Sequence, residues 1–584
     1  MPAGITLSIP PRGYPAKQIL NPDGSLARTE YLHGVFVLTW KGKGTVKLLT
    51  SEQNGQGYTT LVEHPNRIVM VISDPVKEPM VEVRASDASD PVRNLRLWAP
   101  ATNGAGLNLT SSSDLAPGHI AGSLEPAPGA PEPLWHPQFL AHLRETPDYG
   151  SLRFMGWLRI NGLDDATPLQ WTDRASPSQG MGTLSVVDAQ YTRYPVQALN
   201  WKLGLPYEWM IDLCNTVGKD LWIQVPHTAS PSLVRGLAKL VAGKGGAPGL
   251  KTPLRVWFEC SNEIWNGFGG YLPQYNAARD LAAKHFNKTA DKVSFEEHGW
   301  GSGQMQGAAL KAFEDQWIAD GQIDARLINV VAGFAAGSTY NKAALDSVKS
   351  LGLKLPEVLA ITNYFGYGTQ SDVFSLHSFG NAPGVWPAEL YDKTRLIVER
   401  NLLDTQKSWV SNRAVAQGAG VPLVAYEGGQ HMLALGYGDW NNPQHADYMR
   451  FLQSFQRSPQ MESLYRQHYA LWAASGAQAP SLFVDLGTWG FFGYWGAKEL
   501  ITDTVDTSHK WKAFVDWGKI QRGVRGMDDP LGSRPVLDRP EMQGEALLPF
   551  SQDLRATGGD GTGQMMILGG SLPPGLAFTS TGSG

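Results

Sequence analysis

The sequence predicts an α/β fold, a (β/α)8 barrel of the TIM type with accessory β-rich regions at its N- and C-termini. Three observations lead there. From about residue 91 onward, short apolar runs alternate with segments of helical period. Eight such runs occur before the Pro/Gly-rich C-terminal stretch. No Gly-rich dinucleotide fingerprint follows the first run, which weakens an open, doubly wound sheet as the alternative.

Taken in order, residues 1–90 read as a small β-rich region. "GVFVLTWKGKGTVKLLT" alternates about a Gly-Lys-Gly turn, and "NRIVMVISD" and "MVEVRAS" follow. The barrel is assigned to residues 91–522. Its strands are predicted at 92–100, 152–161, 221–229, 254–263, 327–335, 357–365, 421–429 and 481–489. Helical patterns such as "EWMIDLCNTVG", "SLVRGLAKLVAG", "QMQGAALKAFEDQWIADG" and "HADYMRFLQSFQRS" separate them, and "KWKAFVDWGKIQR" closes the barrel. The Pro/Gly-rich segment 115–137 joins the first predicted strand to the first helix. It reads as an ordered surface loop, with one wall of a substrate groove as the functional alternative. Residues 523–584 read as a linker followed by a Gly/Ser/Thr-rich, β-like module.

The totals narrow the function classes. A chain of 584 residues with 42% hydrophobic and 18% charged residues is an ordinary globular one. The net charge of −5 argues against a nucleic-acid partner, which calls for a basic face. Two cysteines, Cys214 and Cys260, exclude a disulfide framework and a Cys-rich zinc site. No apolar run reaches the ~18 residues of a membrane span. The opening "MPAGITLSIPPRG" has no basic and apolar signal-peptide regions, which fits a cytoplasmic chain or one whose signal has been removed. The 20 tryptophans are informative, because indoles stack on the apolar faces of sugar rings as well as packing in cores.

In a barrel the C-terminal ends of the strands build the site. The side chains there are Trp98, Arg159, Asn161, His227, Asn262, Glu263, Phe334, Asn363, Tyr364, Tyr426, Glu427, His431, Asp485 and Trp489. Carboxylates, amides, imidazoles and indoles in this mixture suit a polyol. Glycoside hydrolysis needs two carboxyl groups flanking one bond. Glu263 and Glu427 end the fourth and seventh predicted strands, where only the fold can bring them together. The competing structural readings are a first-turn carboxylate capped by Ser261 for Glu263, and a turn residue before Gly428-Gly429 for Glu427. Glu259 shares the parity of Glu263 but sits lower, as a structural partner for a buried cation such as Arg153. Cys260 has the opposite parity and reads as packing. Trp489 and Trp495, just past the eighth strand, are candidate sugar platforms, with core packing as the alternative. His227 and His431 lack the spacing of a zinc site, so no metal and no organic cofactor is expected.

"SNE" at the end of the fourth predicted strand and "YEGG" at the end of the seventh resemble glycoside hydrolase clan A, the retaining (β/α)8-barrel glycosidases. The resemblance spans roughly residues 92–520, and the longer strings "SNEIWN" and "AYEGGQH" are similar to a subset of bacterial sequences in that clan. It implies Glu263 as acid/base, Glu427 as nucleophile and Asn262 on the substrate 2-hydroxyl. It also implies His227 and Tyr364 as substrate contacts and Arg159 as the arginine beside the nucleophile, with Arg153 on the same strand as the alternative; His431, beyond the seventh predicted strand, is a further candidate substrate contact from its position. Glu263 is then expected to hold its proton, and Glu427 to stay ionised. The tail "LPPGLAFTSTG" resembles bacterial Ig-like modules, of which this chain carries a part, and implies a secreted, modular enzyme. The expectation is a retaining, endo-acting glycosidase for a β-linked glycan, with no nucleic-acid or membrane partner. The alternatives are a non-catalytic sugar-binding barrel and a metal-dependent barrel hydrolase.

Overall fold

The computed structural model describes residues 5–8, 18–20, 26–29, 33–50, 58–73, 79–109, 115–145, 150–158, 160–161, 168–177, 204–355, 357–439, 441–487, 489, 493–524, 536–537 and 556–557. The chain divides into two units. One comprises 1–145, 175–209 and 499–503; the other comprises 146–174, 210–498 and 504–584.

The first unit is built from antiparallel strands. The apolar alternation of β4 (Gly34–Lys41) buries Val35 and Val37 on one face and Phe36 and Leu38 on the other. β4 lies between β7 (Arg67–Ile72) and β9 (Arg93–Trp98), and β6 (Tyr58–His64) pairs with the far edge of β7. A second sheet holds β1 (Ile5–Ser8), β8 (Pro79–Ser86) and β5 (Gly44–Thr50), and a hairpin pairs β2 (Gln18–Leu20) with β3 (Leu26–Thr29).

This arrangement corrects the first predicted strand. Residues 92–100 do not open the barrel: β9 runs antiparallel to β4, and Trp98 donates its indole N–H to Thr39 Oγ1 at 3.1 Å inside the first unit's core. The loop at 115–137 also belongs here. Leu115 and Ile120 pack on Val35, Val37, Val69 and Val71, and Arg67 forks onto Glu125 at 2.9 and 2.8 Å. The loop covers this sheet, as the ordered-loop reading has it.

The second unit carries a six-stranded parallel sheet of β10 (Ser151–Arg153), β11 (Asp220–Val225), β12 (Val256–Cys260), β13 (Leu327–Ala332), β14 (Glu357–Phe365) and β15 (Leu423–Gln430). Neighbours in the sheet are neighbours in the chain throughout. That is the winding of a TIM-like barrel; a doubly wound sheet reverses its order midway. Helices form the connections, among them Pro231–Val241, Phe295–Ala319, Ser338–Lys349 and Ala388–Ala419. From β11 to β15 the strands are buried on both faces, as in a covered parallel sheet, while β10 at the edge is half-buried. One face gathers Trp222, Trp257, Ile328, Val330, Val358, Ala360, Val424 and Tyr426, with Trp222 and Trp257 stacked at 5.1 Å. The other meets the helices, where Phe258 stacks on Phe313 at 4.2 Å and Asn329 donates to Glu314 at 2.8 Å.

Two predicted strands take another form. In 152–161 the strand ends at Arg153, and a helix, Met155–Leu158, follows. Among the described residues of 481–489 there is no regular strand. The chain instead runs beside β15 over 478–483, through Gln478 N–H to Leu423 O at 2.7 Å, Ala425 N–H to Ala479 O at 3.1 Å and Phe483 N–H to Gly428 O at 2.8 Å. The C-terminal module expected at 523–584 lies outside the described residues, apart from the end of the helix His509–Val524 and a pairing of β16 (Val536–Leu537) with β17 (Ala556–Thr557). No helix among the described residues is long and apolar enough to cross a membrane.

Candidate active site

The site is organised around one guanidinium. Arg153, the last residue of β10, forks onto Glu259 with Nε to Oε2 at 2.9 Å and Nη2 to Oε1 at 2.7 Å. Nη1 donates to Glu427 Oε1 at 2.7 Å, and Nη2 also donates to Asn262 Oδ1 at 2.8 Å. Its plane lies 5.0 Å from the Tyr426 ring centre. Burial alone would lower the pKa of Arg153, but Glu259 and Glu427 outweigh it and lock the positive charge in place. The arginine implied at position 159 lies outside the described residues. The side chain that reaches the nucleophile candidate is Arg153, which therefore serves Glu259 and Glu427 together.

Glu259 is fully buried and accepts from four donor atoms. Besides the Arg153 fork, Trp222 Nε1 donates at 2.7 Å and Gln224 Nε2 at 3.0 Å. The parity argument for a structural Glu259–Arg153 pair holds. Cys260, of opposite parity, is buried, and burial followed by the nearby Glu259 pushes its thiol up to about 12, so it stays protonated and inert.

Glu427 is presented by a local irregularity. The β14–β15 register shifts so that Ile361 pairs with Ala425 and Thr362 with Glu427. Tyr426 is the extra residue, and the resulting bulge lets Tyr426 and Glu427 both face Arg153. Tyr364 on β14 donates its hydroxyl to Glu427 Oε2 at 3.0 Å. The two glycines after Glu427 have different reasons. A Cβ on Gly428 would come within 1.5 Å of Asn363 Oδ1, and Gly429 sits at φ +107°. Burial raises the Glu427 pKa above its ordinary value, and the Arg153 charge and the donors from Arg153 and Tyr364 offset this only in part.

Glu263 follows β12 on a tight path. Ser261 and Glu263 both adopt left-handed backbone, at φ +64° and +43°, an uncommon and costly state for residues with a Cβ. Glu263 is 8% exposed, and its carboxylate Oε2 accepts from Asn266 Nδ2 at 2.8 Å. Burial, then the negative charge of Glu427, pushes Glu263 up to about 8, while Asn266 and Arg153 pull in the other direction. The two carboxyl groups are unequally supported: Arg153 and Tyr364 donate to Glu427, and Asn266 donates to Glu263.

Asn262 is nearly fully buried. Its Oδ1 is taken by Arg153, and its Nδ2 donates to Asn161 Oδ1 at 3.3 Å. His431 lies edge-on to Tyr364 at 4.9 Å and to Trp495 at 5.6 Å, and Trp495 also meets Phe483 at 5.7 Å. Tyr364, His431 and Trp495 thus form one aromatic wall beside Glu427. His227 is half-buried two residues beyond the end of β11. Trp489 is engaged elsewhere: its indole N–H donates to Gly496 O at 2.8 Å, and Lys510 and Arg457 lie 4.3 and 5.2 Å from its ring centre. Among the described residues, no three His, Cys, Asp or Glu side chains group as a metal site.

Sequence reasoning placed Tyr426 among the strand-end side chains without a specific role, and missed Tyr271 and Asn266. Tyr426 accepts the Trp265 indole N–H at 3.0 Å and lies close enough to both glutamates for their charges, after burial, to raise its own pKa. Tyr271 is raised by burial and then by the same two charges. Asn266, the last residue of "SNEIWN", reaches Glu263 through a three-residue turn.

No family model matches the chain, and no curated protein matches it. Among solved structures, a GH51 arabinofuranosidase from Xanthomonas axonopodis pv. citri aligns at 12% identity and TM-score 0.35 over 62% of each chain, so this chain spans less than two-thirds of that one. An endo-beta-1,4-mannanase from Thermotoga petrophila aligns at 12% identity and TM-score 0.25, over 56% of this chain and 75% of that one.

Proposed function

We propose that the protein is a retaining glycoside hydrolase that cleaves β-glycosidic bonds in a polysaccharide or oligosaccharide, on a parallel barrel completed to eight strands. The observation that carries this reading is the division of labour between two buried glutamates. Glu427 is held by Arg153 and Tyr364, and Glu263 is pushed up to about 8 beside it. Glu427 attacks the anomeric carbon as Glu263 gives its proton to the leaving oxygen, so the glycosidic C–O bond breaks as the glycosyl ester forms. Once esterified, Glu427 no longer carries charge, and the Glu263 pKa falls. Glu263 then takes a proton from water, which hydrolyses the ester and restores both groups. Tyr364, His431 and Trp495 offer a polar and aromatic wall on which a sugar ring can rest.

The test is a hydrolysis screen over β-glucans, mannans, xylans and galactans, with product anomers followed by NMR. Release of the β-anomer first supports the reading, and net inversion refutes the retaining mechanism. Binding without turnover would favour a non-catalytic sugar-binding barrel. Activity lost to a chelator and restored by metal would favour a metal-dependent hydrolase.

A further inference from the structure

The turn that leaves β12 contains a short chain of hydrogen bonds with only one consistent polarity. Phe268 N–H lies 3.2 Å from Asn266 Oδ1, and Asn266 Nδ2 lies 2.8 Å from Glu263 Oε2. Asn266 N–H closes the turn onto Glu263 O at 2.9 Å. A backbone N–H can only donate, so the Asn266 amide must present its oxygen to Phe268. Its NH2 must then face Glu263. An NH2 group can only donate in turn, so Glu263 Oε2 accepts in either protonation state of the carboxyl group.

We propose that Asn266 is a positioning residue: its NH2 is best accepted by a carbonyl oxygen, so it favours the transferable proton of Glu263 on Oε1 and biases the direction from which the leaving group is protonated. The inference deepens the glycosidase reading and rests on it for its role in catalysis. The bond pattern itself stands on the turn alone. The backbone atom that orients Asn266 belongs to Phe268, whose ring is 82% exposed and flanked by Gly267 and Gly269. The segment that biases the proton therefore also carries the most exposed large apolar side chain among the described residues.

Other charges and phenols act on Glu263 as well. Glu427 raises its pKa and Arg153 lowers it, and Tyr271, Tyr364 and Tyr426 sense its charge. Asn266 is distinct among these groups in bonding the Glu263 carboxylate directly. Donation to the ionised form favours that form, so removing the donor must raise the Glu263 pKa.

The test is a 13C NMR titration of glutamate side-chain carboxyls in the full chain, with the Glu263 resonance assigned by its loss in Glu263→Gln. In Asn266→Ala the Glu263 midpoint is expected to move up by about one unit. Asn266→Asp, close to isosteric, keeps the turn acceptor but replaces the donor with a like charge, and should move it further in the same direction. A midpoint that stays in place in a folded Asn266→Asp protein overturns the proposal. With a glycoside found by the screen, Asn266→Ala should lower kcat/KM for a poor leaving group by at least about tenfold more than for a dinitrophenyl leaving group, which needs no proton. Equal losses on both substrates overturn the positioning role. If the screen finds no substrate, the glycosidase reading falls while the titration still judges the hydrogen-bond polarity.

Discussion

Glu259 and Glu263 stand four residues apart at the end of one strand, both buried, and the chain uses them in opposite ways. Glu259 is surrounded by donors: the Arg153 fork, the Trp222 indole and the Gln224 amide. Glu263 has one amide donor and a second carboxylate for a neighbour, and its pKa is pushed up to about 8. Two buried carboxyl groups thus differ in the donors aimed at them, and the sparser support of Glu263 is what the proposed acid requires. Arg153 links the two layers, since the cation that neutralises Glu259 also holds Glu427.

The strongest way to break the comparison is therefore at Arg153. Arg153→Met leaves Glu259 and Glu427 buried without their cation. It should cost at least ~3 kcal/mol in denaturant unfolding and lower kcat/KM by roughly a thousandfold. Little change in either would place the charge balance of the site elsewhere. Tyr364→Phe acts on the rim alone. Without its phenol donor the Glu427 pKa rises, so the acidic limb of kcat/KM should move to higher pH, with a rate loss of about tenfold at the optimum. The basic limb, set by loss of the Glu263 proton near 8, should stay where it is. Movement of the basic limb alone would reverse the two assignments. Trp222→Phe acts on the floor alone. It removes one donor from Glu259 and should cost about 1 kcal/mol of stability while leaving both limbs of the pH profile in place. A displaced limb there would mean that floor and rim are not separate.

Much of this site is legible in the residues, because side-chain parity along a strand is a local property. The inward direction of Glu259 and the burial of Cys260 follow from it, and Arg153 proves to be the buried cation that Glu259 meets. Parity fails where the backbone is irregular. The bulge at Tyr426 turns two consecutive residues toward Arg153, and nothing in "LVAYEGGQ" announces it. The strand carrying the key arginine stops at Arg153 and gives way to a helical turn, although the apolar period runs on to 161. Period is equally silent about partners. "RNLRLW" reads as a strand in any sheet, and its antiparallel pairing with β4 is set by residues about 60 positions upstream. The Trp489 ring faces lie near Lys510 and Arg457, both distant in sequence, so its position after the last predicted strand could not reveal its surroundings. The positive φ angles at Ser261 and Glu263 are likewise imposed by the fold rather than by residue type.

The most direct test of the account compares kcat/KM of Glu427→Gln and Glu263→Gln with the wild type on an unactivated glycan from the screen, alongside calorimetric binding of the same glycan. Each substitution is expected to lower kcat/KM by about a thousandfold or more while the Kd stays within a few-fold of the wild type. Retention of more than about a tenth of wild-type kcat/KM by either variant would contradict the account.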